Sequence, residues 1–370
     1  MSPVNEVGGH DGGCLAPSVM DGSGGAEAPL LEVDDLAVEF RTRDGVIPAV
    51  DGLSFTVTAG RTLAIVGESG CGKSVSSLAV MGLLGPTARV TRGAVRFRGT
   101  DLLALALKER RAYAGEHVAM VFQDALAALN PVHTVGYQLT EALRVRRGIG
   151  RDAARRRAIE LLDMVKVPRA ADRIRDYPHQ FSGGMRQRVM IAASLAMDPE
   201  VLIADEPTTA LDVTVQAQIL RLLAEIQAVR HMGLVLITHD LGVVASVADD
   251  VTVMYAGHAV EQASVNEIFA APAHPYTRAL LRAMPRLAAG GPTSDSVSGQ
   301  GSDRTQGGRL DVIPGRPPRP GEVPGGCPFH PRCDAALDVC RTTAPPLVEL
   351  PGGRTSLCHV ATEVLEAARG

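Results

Sequence analysis

Four short apolar runs punctuate the first two-thirds of the chain, at residues 62–66, 118–122, 201–204 and 234–238. Each is apolar at nearly every position and too short for a helix, the pattern of a strand buried on both faces of a parallel sheet. Upstream, Leu36, Val38 and Phe40 alternate as one face of a strand would. The segment from Arg151 to Val165 carries Ala154, Ile159, Leu161, Leu162, Met164 and Val165 at helical spacing, with arginines on the other positions. This regularity stops after Arg286. Residues 288–309 are rich in Gly, Ser and Thr and read as a flexible linker. Residues 311–351 hold ten of the 24 prolines, so regular elements there must be short.

The first apolar run passes directly into Gly67-Glu68-Ser69-Gly70-Cys71-Gly72-Lys73-Ser74, an ungapped match to G-x-x-x-x-G-K-S. Glycines let the backbone turn tightly enough for successive N–H groups to face phosphate oxygens. A helix starting near Lys73 adds the positive end of its dipole. Lys73 is expected to reach the β- and γ-phosphates of ATP, and Ser74 to ligate Mg²⁺. The run at 201–204 ends in Asp205 and Glu206, at the carboxyl end of a strand where open α/β sheets bind ligands. Asp205 is the expected Mg²⁺ partner and Glu206 the expected base for an attacking water.

In that order and spacing, these motifs resemble those of the nucleotide-binding subunit of an ABC transporter over about residues 30–285. The resemblance implies an α/β fold: a RecA-like P-loop core, an antiparallel β subdomain and a helical subdomain at about 130–182. It implies that Ser182, Gly183 and Gly184 form the signature that contacts ATP held by an opposite cassette. Gln123 would touch Mg²⁺ and the attacking water, Asp212 would lie in the turn crossing the cassette interface, and His239 would contact the γ-phosphate. Cassettes usually stack adenine on an upstream aromatic residue, yet Asp44 falls at that position. Phe40 is the nearest aromatic and suits either adenine stacking or a strand face.

The apolar fraction of 45% suffices for a core, and a net charge of −4 without a basic tract argues against nucleic-acid binding. The densest basic run, Arg151 to Arg157, reads as the solvated face of a helix. No stretch approaches the roughly 20 apolar residues of a membrane span, and the Gly-rich N-terminus is unlike a secretory signal. The expected organisation is a disordered tail at 1–29, a cassette at 30–285, a linker at 286–310 and a Cys/Pro-rich extension at 311–370. The expected location is the cytoplasmic face of the plasma membrane, peripheral and held through partners.

Cys327, Cys333, Cys340 and Cys358 lie in the extension, spaced C-x5-C-x6-C-x17-C. Four clustered thiols in a reducing compartment favour a metal over disulfides. The absence of C-x2-C pairs suits an iron–sulfur cube at least as well as Zn²⁺, and four free thiols are the bland alternative. His330 and His359 are alternative ligands; Cys14 and Cys71 need no special role. The string from Gly326 to Cys333 resembles the extension of oligopeptide/dipeptide importer ATPases, which implies a [4Fe–4S] cluster. Residues 122–124, Leu129-Asn130-Pro131 and His274-Pro275-Tyr276-Thr277 resemble the same peptide and nickel importer group, and Met185 its first ATPase type. The implied assembly is a heterodimer of cassettes, two transmembrane permeases and an extracytoplasmic solute-binding protein. Nickel, glutathione or another small solute is an alternative cargo. A soluble ATPase uncoupled from transport and a redox-sensing module are readings from other classes.

Overall fold

A computed structural model of the chain describes residues 28–43, 45–209, 211–284 and 312–369. The expected disordered tail up to residue 27, the linker at 286–310, and Cys14, Asp44 and Ala210 lie outside the described residues. Twelve strands are present among them: β1 Leu31–Thr42, β2 Gly45–Val57, β3 Thr62–Val66, β4 Ala88–Phe97, β5 Thr100–Asp101, β6 Val118–Val121, β7 Val201–Asp205, β8 Gly233–Thr238, β9 Asp250–Tyr255, β10 His258–Ser264, β11 Leu347–Leu350 and β12 Arg354–Leu357.

The four apolar runs are β3, β6, β7 and β8, buried along their lengths. They pair in parallel, together with β9, in an eight-stranded sheet of order β11-β12-β10-β9-β3-β8-β7-β6. The predicted run at 118–122 ends a residue early as strand, and Phe122 leaves it exposed. A second, antiparallel sheet of order β2-β1-β4-β5 packs its apolar face over the first. In the alternating β1 segment, Leu36 and Val38 are buried and Phe40 is half-buried.

The helical subdomain grows from the amphipathic pattern. Thr134 caps the helix Val135–Arg146, and Arg151–Met164 follows. Leu139, Leu143, Ala154, Ala158, Leu161 and Leu162 bury one apolar face against the helix Gly183–Ser194, while Arg151, Arg155 and Arg156 face solvent as expected.

The tail does not stand apart from the sheet. β12 pairs antiparallel with β10, aligning Glu261 with Ser356, and β11 forms a hairpin with β12. A buried ion pair fixes this junction: Arg354 donates to Glu261 at 3.0 Å, with side chains 1% and 0% exposed. Arg354 also donates to the Ala271 carbonyl at 2.6 Å. Glu261 accepts the N–H groups of Ala273 and His274 at 2.7 and 3.0 Å. Burial pushes the Glu261 carboxyl up, while these donors and the Arg354 charge pull it back toward the ionised form.

The string 274–277 is part of the same knot. His274 caps the helix Pro275–Arg282, its Nδ1 accepting the Tyr276 N–H at 3.0 Å, and Pro275 occupies the first turn where no N–H is needed. Burial pushes His274 down to about 3 from an ordinary 6.5. The unfolded chain therefore binds a proton that the folded chain refuses between those values. Stability should fall as pH drops through 6.5, by at most about 1.4 kcal/mol per pH unit from this group. Urea midpoints at about pH 7 and pH 5 should diverge less in His274→Asn, which keeps a capping acceptor but cannot titrate.

Candidate nucleotide-binding site

The phosphate loop leaves the end of β3 and enters the helix Lys73–Met81. It is wedged between two strands. A Cβ on Gly67 would lie 2.2 Å from the Met254 carbonyl oxygen of β9, and one on Gly72 would lie 2.6 Å from the Ala49 carbonyl oxygen of β2. Gly72 is also left-handed, with φ 103°, and occupies the helix N-cap without a side-chain cap. Orphan N–H groups of the first turn are thus left for an anion. Ser69 and Gly70 line the cavity beside them. Buried Lys73 donates its Nζ to the carbonyls of Gly67 at 2.8 Å and Glu68 at 3.0 Å, so the ammonium is held across the loop. Cys71 is buried in the loop, and burial raises its thiol against the pull of the Lys73 charge, so it is kept protonated.

Ser74 Oγ donates to Asp205 Oδ1 at 3.0 Å, bringing the two expected Mg²⁺ ligands together. Burial raises the Asp205 carboxyl, opposed by the Ser74 bond and reinforced by neighbouring Glu206. An oxygen donor pair, poorly solvated and directed at the phosphate loop, suits a hard divalent cation. Glu206 stands at the strand end in a left-handed conformation, φ 43°, with its N–H tied to the Ile237 carbonyl at 3.0 Å. Such a conformation in a non-glycine residue costs of order 1 kcal/mol or more. It turns the carboxylate toward Gln123, whose Nε2 donates at 3.0 Å, and Thr209, whose Oγ1 donates at 2.9 Å. His239 Nδ1 lies 3.4 Å from the other carboxylate oxygen.

Beside these groups lies a cavity of about 320 Å³, whose lining does not include Asp205, Thr209 or His239. Lys73, Ser74, Gln123 and Glu206 line one part, and Phe40 and Pro48 line another. Ser182, Gly183, Gly184 and Asp212 are not among its lining residues. Ser182 is the N-cap of the helix Gly183–Ser194 and makes no side-chain cap bond. Asp212 caps the helix Val213–Arg230 by accepting the Val215 N–H at 2.9 Å. One chain therefore carries two anion-grade helix N-termini at separate places.

Sequence reasoning missed what buttresses the loop. Arg332, in the tail, donates twice to Glu68, at 2.5 and 2.9 Å, with side chains 5% and 25% exposed. It also donates to the Pro314 carbonyl at 2.8 Å. The Glu68 carboxylate raises the Arg332 guanidinium's pKa despite burial. Tyr276 Oη accepts the Glu68 N–H at 3.0 Å. The only sequence sign of the clamp is an arginine inside the string that also supplies Cys327 and Cys333, 264 positions from its partner.

The four tail cysteines lie within electrostatic reach of one another. Burial, with neighbouring sulfurs adding to it, pushes Cys358 up to about 12 and Cys333 up to about 11. Burial and Cys340 likewise raise Cys327. Yet the described residues contain no group of three or more His, Cys, Asp or Glu side chains placed to hold a metal ion. One ring nitrogen of each histidine meets a carbonyl: His330 Nδ1 that of Cys327 at 2.9 Å and His359 Nε2 that of Thr343 at 3.0 Å. The expected ligand sphere is thus convergent in sequence and in neighbourhood but not assembled.

A phosphate loop, a Ser–Asp cation pair and a polarised strand-end carboxylate define a P-loop nucleotide hydrolase. The ABC transporter family model matches residues 50–209, and the model for the C-terminal region of oligopeptide/dipeptide transporters matches residues 260–309 and 302–340. The dipeptide transport ATP-binding protein DppD of Escherichia coli is 49% identical over 330 residues, 89% of this chain and 96% of that one. The oligopeptide transport ATP-binding protein OppD of Salmonella typhimurium is 47% identical over 336 residues, 91% of this chain and 95% of that one. Among solved structures, the dimeric bacterial ABC transporter cassette MJ0796 matches with TM-score 0.57 at 25% identity, covering 64% of this chain and 98% of that one. The cassette cbiO1 of Clostridium perfringens matches with TM-score 0.57 at 28% identity, covering 66% and 92%. This chain belongs to the ABC transporter ATP-binding proteins, in the oligopeptide/dipeptide branch.

Arg332→Ala should leave the half-buried Glu68 carboxylate without its charge partner, at about 1–3 kcal/mol of stability. Chemical unfolding of the two proteins side by side should show that loss, and equilibrium titration should show weaker ATP binding as the loop loses its buttress.

Proposed function

We propose that this chain is the ATP-hydrolysing subunit of a membrane importer for oligo- or dipeptides. The observation that carries the reading is the convergence of Gln123, Thr209 and His239 on Glu206, beside Ser74 and Asp205, at the mouth of the phosphate loop. The importer assignment draws on the peptide-transport relatives.

In this mechanism the loop N–H groups and Lys73 hold the ATP phosphates, and Ser74 and Asp205 hold Mg²⁺. Bound there, Mg²⁺ neutralises charge on the β- and γ-phosphate oxygens. Glu206 takes a proton from water as the water oxygen bonds to the γ-phosphorus and the bond to the bridging oxygen breaks. Gln123 and Thr209 fix the carboxylate in line, and His239 adds a donor at the γ-phosphate. Ser182, Gly183 and Gly184 complete the site of a partner cassette, with Asp212 in the turn between the two. We assign residues 30–285 to the cassette and 311–370 to its extension.

The partners are a second, distinct cassette (the heterodimer reading rests on Met185), two permeases met through the Gln123 loop, and an extracytoplasmic binding protein. No helix among the described residues is long and apolar enough to cross a membrane, in keeping with peripheral attachment, which we place on the cytoplasmic face. Glu206→Gln should lower ATPase turnover at least about 10²-fold while ATP still binds, and Lys73→Ala should weaken binding itself. Equal loss of binding in both variants would remove Glu206 from the role of base. Affinity purification from gently solubilised membranes should recover a second cassette and two permeases; recovery of ribosomes, or of nothing membranous, would leave a soluble ATPase.

The four cysteines supply the donor set for a [4Fe–4S] cluster or Zn²⁺, supported by the mutual proximity of buried sulfurs in a Pro-rich tail. Anaerobic purification followed by metal and sulfide analysis separates the cases. Iron and sulfide in equal amounts, lost on Cys340→Ser, would establish the cluster; zinc would replace it, and neither would leave free thiols.

A further inference from the structure

The cavity that holds the phosphate loop is closed on one side by the tail. Pro318, Arg319, Pro320 and Val323 line it together with Phe40. The segment is built to stay there. Glu322 N–H bonds the Arg319 carbonyl at 2.9 Å, with Pro320 and Gly321 between them and Gly321 at φ 88°. Pro followed by a left-handed Gly is the residue pattern of a type II turn. Gly321 rests on the hairpin: a Cβ there would sit 3.6 Å from the Ile47 side chain, and Ile47 is the cross-strand partner of Phe40. Upstream, Arg332 holds the Pro314 carbonyl with one nitrogen and Glu68 of the phosphate loop with the others. One buried arginine therefore sets both the loop and the approach to the turn.

Resting on the nucleotide reading above, we infer that Arg319 is a base-binding residue of the ATP site, its guanidinium lying on the purine face across from Phe40. Three observations carry this. The turn joins the cavity on the side of the β1–β2 hairpin, which bears Phe40 and Pro48. Among the described residues the cavity has no aromatic other than Phe40, so a stacked base has a free face. Among the described residues Arg319 has no ion-pair partner, and it is exposed and lines the cavity. A planar guanidinium can stack flat across a π-face, whereas a lysine ammonium meets it only as a strongly hydrated point charge. The tail thereby supplies a second wall to the one that Phe40 gives from β1.

The test is equilibrium binding of two ligands to the full chain: ATP, and inorganic tripolyphosphate, which has the charge without the base. Arg319→Ala should raise the Kd for ATP about three- to tenfold and leave that for tripolyphosphate unchanged. Arg319→Lys should behave like the alanine variant. No change with ATP, equal weakening of both ligands, or full rescue by lysine would each overturn the assignment, the last two by making Arg319 a phosphate or point-charge contact. Lys73→Ala, run in parallel, should weaken both ligands. If it leaves both unaltered, the nucleotide reading itself fails, independently of Arg319.

Discussion

The pairing of Arg332 with Glu68 is the constraint on which the site depends. A phosphate loop must keep several N–H donors unpaired and pointed inward, an arrangement the chain would not adopt unsupported. Here the loop is held from beneath by the Met254 and Ala49 carbonyls, which exclude any Cβ at Gly67 and Gly72. It is held from the side by the bidentate bond from Arg332 to Glu68 and by Tyr276 on the Glu68 N–H. Charge-assisted bidentate bonds are directional as well as strong, so the pair fixes the position of the loop rather than merely adding attraction. Because Arg332 belongs to the tail, nucleotide geometry and tail folding are one problem.

The same logic applies at the other end of the tail. Glu261 and Arg354 are withdrawn from water, and burying such charges costs several kcal/mol each before their attraction is counted. What the arrangement secures is register. Arg354 satisfies Glu261 and the Ala271 carbonyl together, and Glu261 takes two backbone donors from 273–274. A slip of β12 along β10 by one residue would place Arg354 on the opposite face and strand both Glu261 and the Ala271 carbonyl. Two four-residue strands that bury few apolar side chains thus acquire a single alignment.

Most of the nucleotide site was legible because its chemistry is local in sequence. The G-x-x-x-x-G-K-S run, the Asp205–Glu206 pair and the four apolar strands each announce themselves within eight residues, and the parallel sheet brings their ends together. Thr209, close in sequence to Glu206, was overlooked because threonine carries no motif there. The contacts of Arg332 and Tyr276 with Glu68 were out of reach for a different reason. Their partners lie hundreds of positions away, across a stretch whose composition reads only as a Pro-rich tail. For the cysteines the sequence offered spacing, and spacing fixes neither distance nor ligand geometry. Phe40, open between strand face and base stack, is half-buried on β1 and lines the cavity.

The separation of the signature from the cavity has a mechanical basis. A Cβ on Gly184 would lie 2.6 Å from Val215 Cγ1, so the helix start at 183–184 is packed directly on the first turn of the helix Val213–Arg230. That turn is fixed by Asp212 through its bond to the Val215 N–H. Asp212 thus orients the surface bearing Ser182 without touching a ligand within its own chain. It is also six residues beyond Glu206, whose backbone carbonyl accepts the Thr209 N–H at 3.2 Å. The end of β7 that carries Glu206 therefore runs within a few residues into the helix Val213–Arg230, on whose first turn the helix beginning at Gly183 packs.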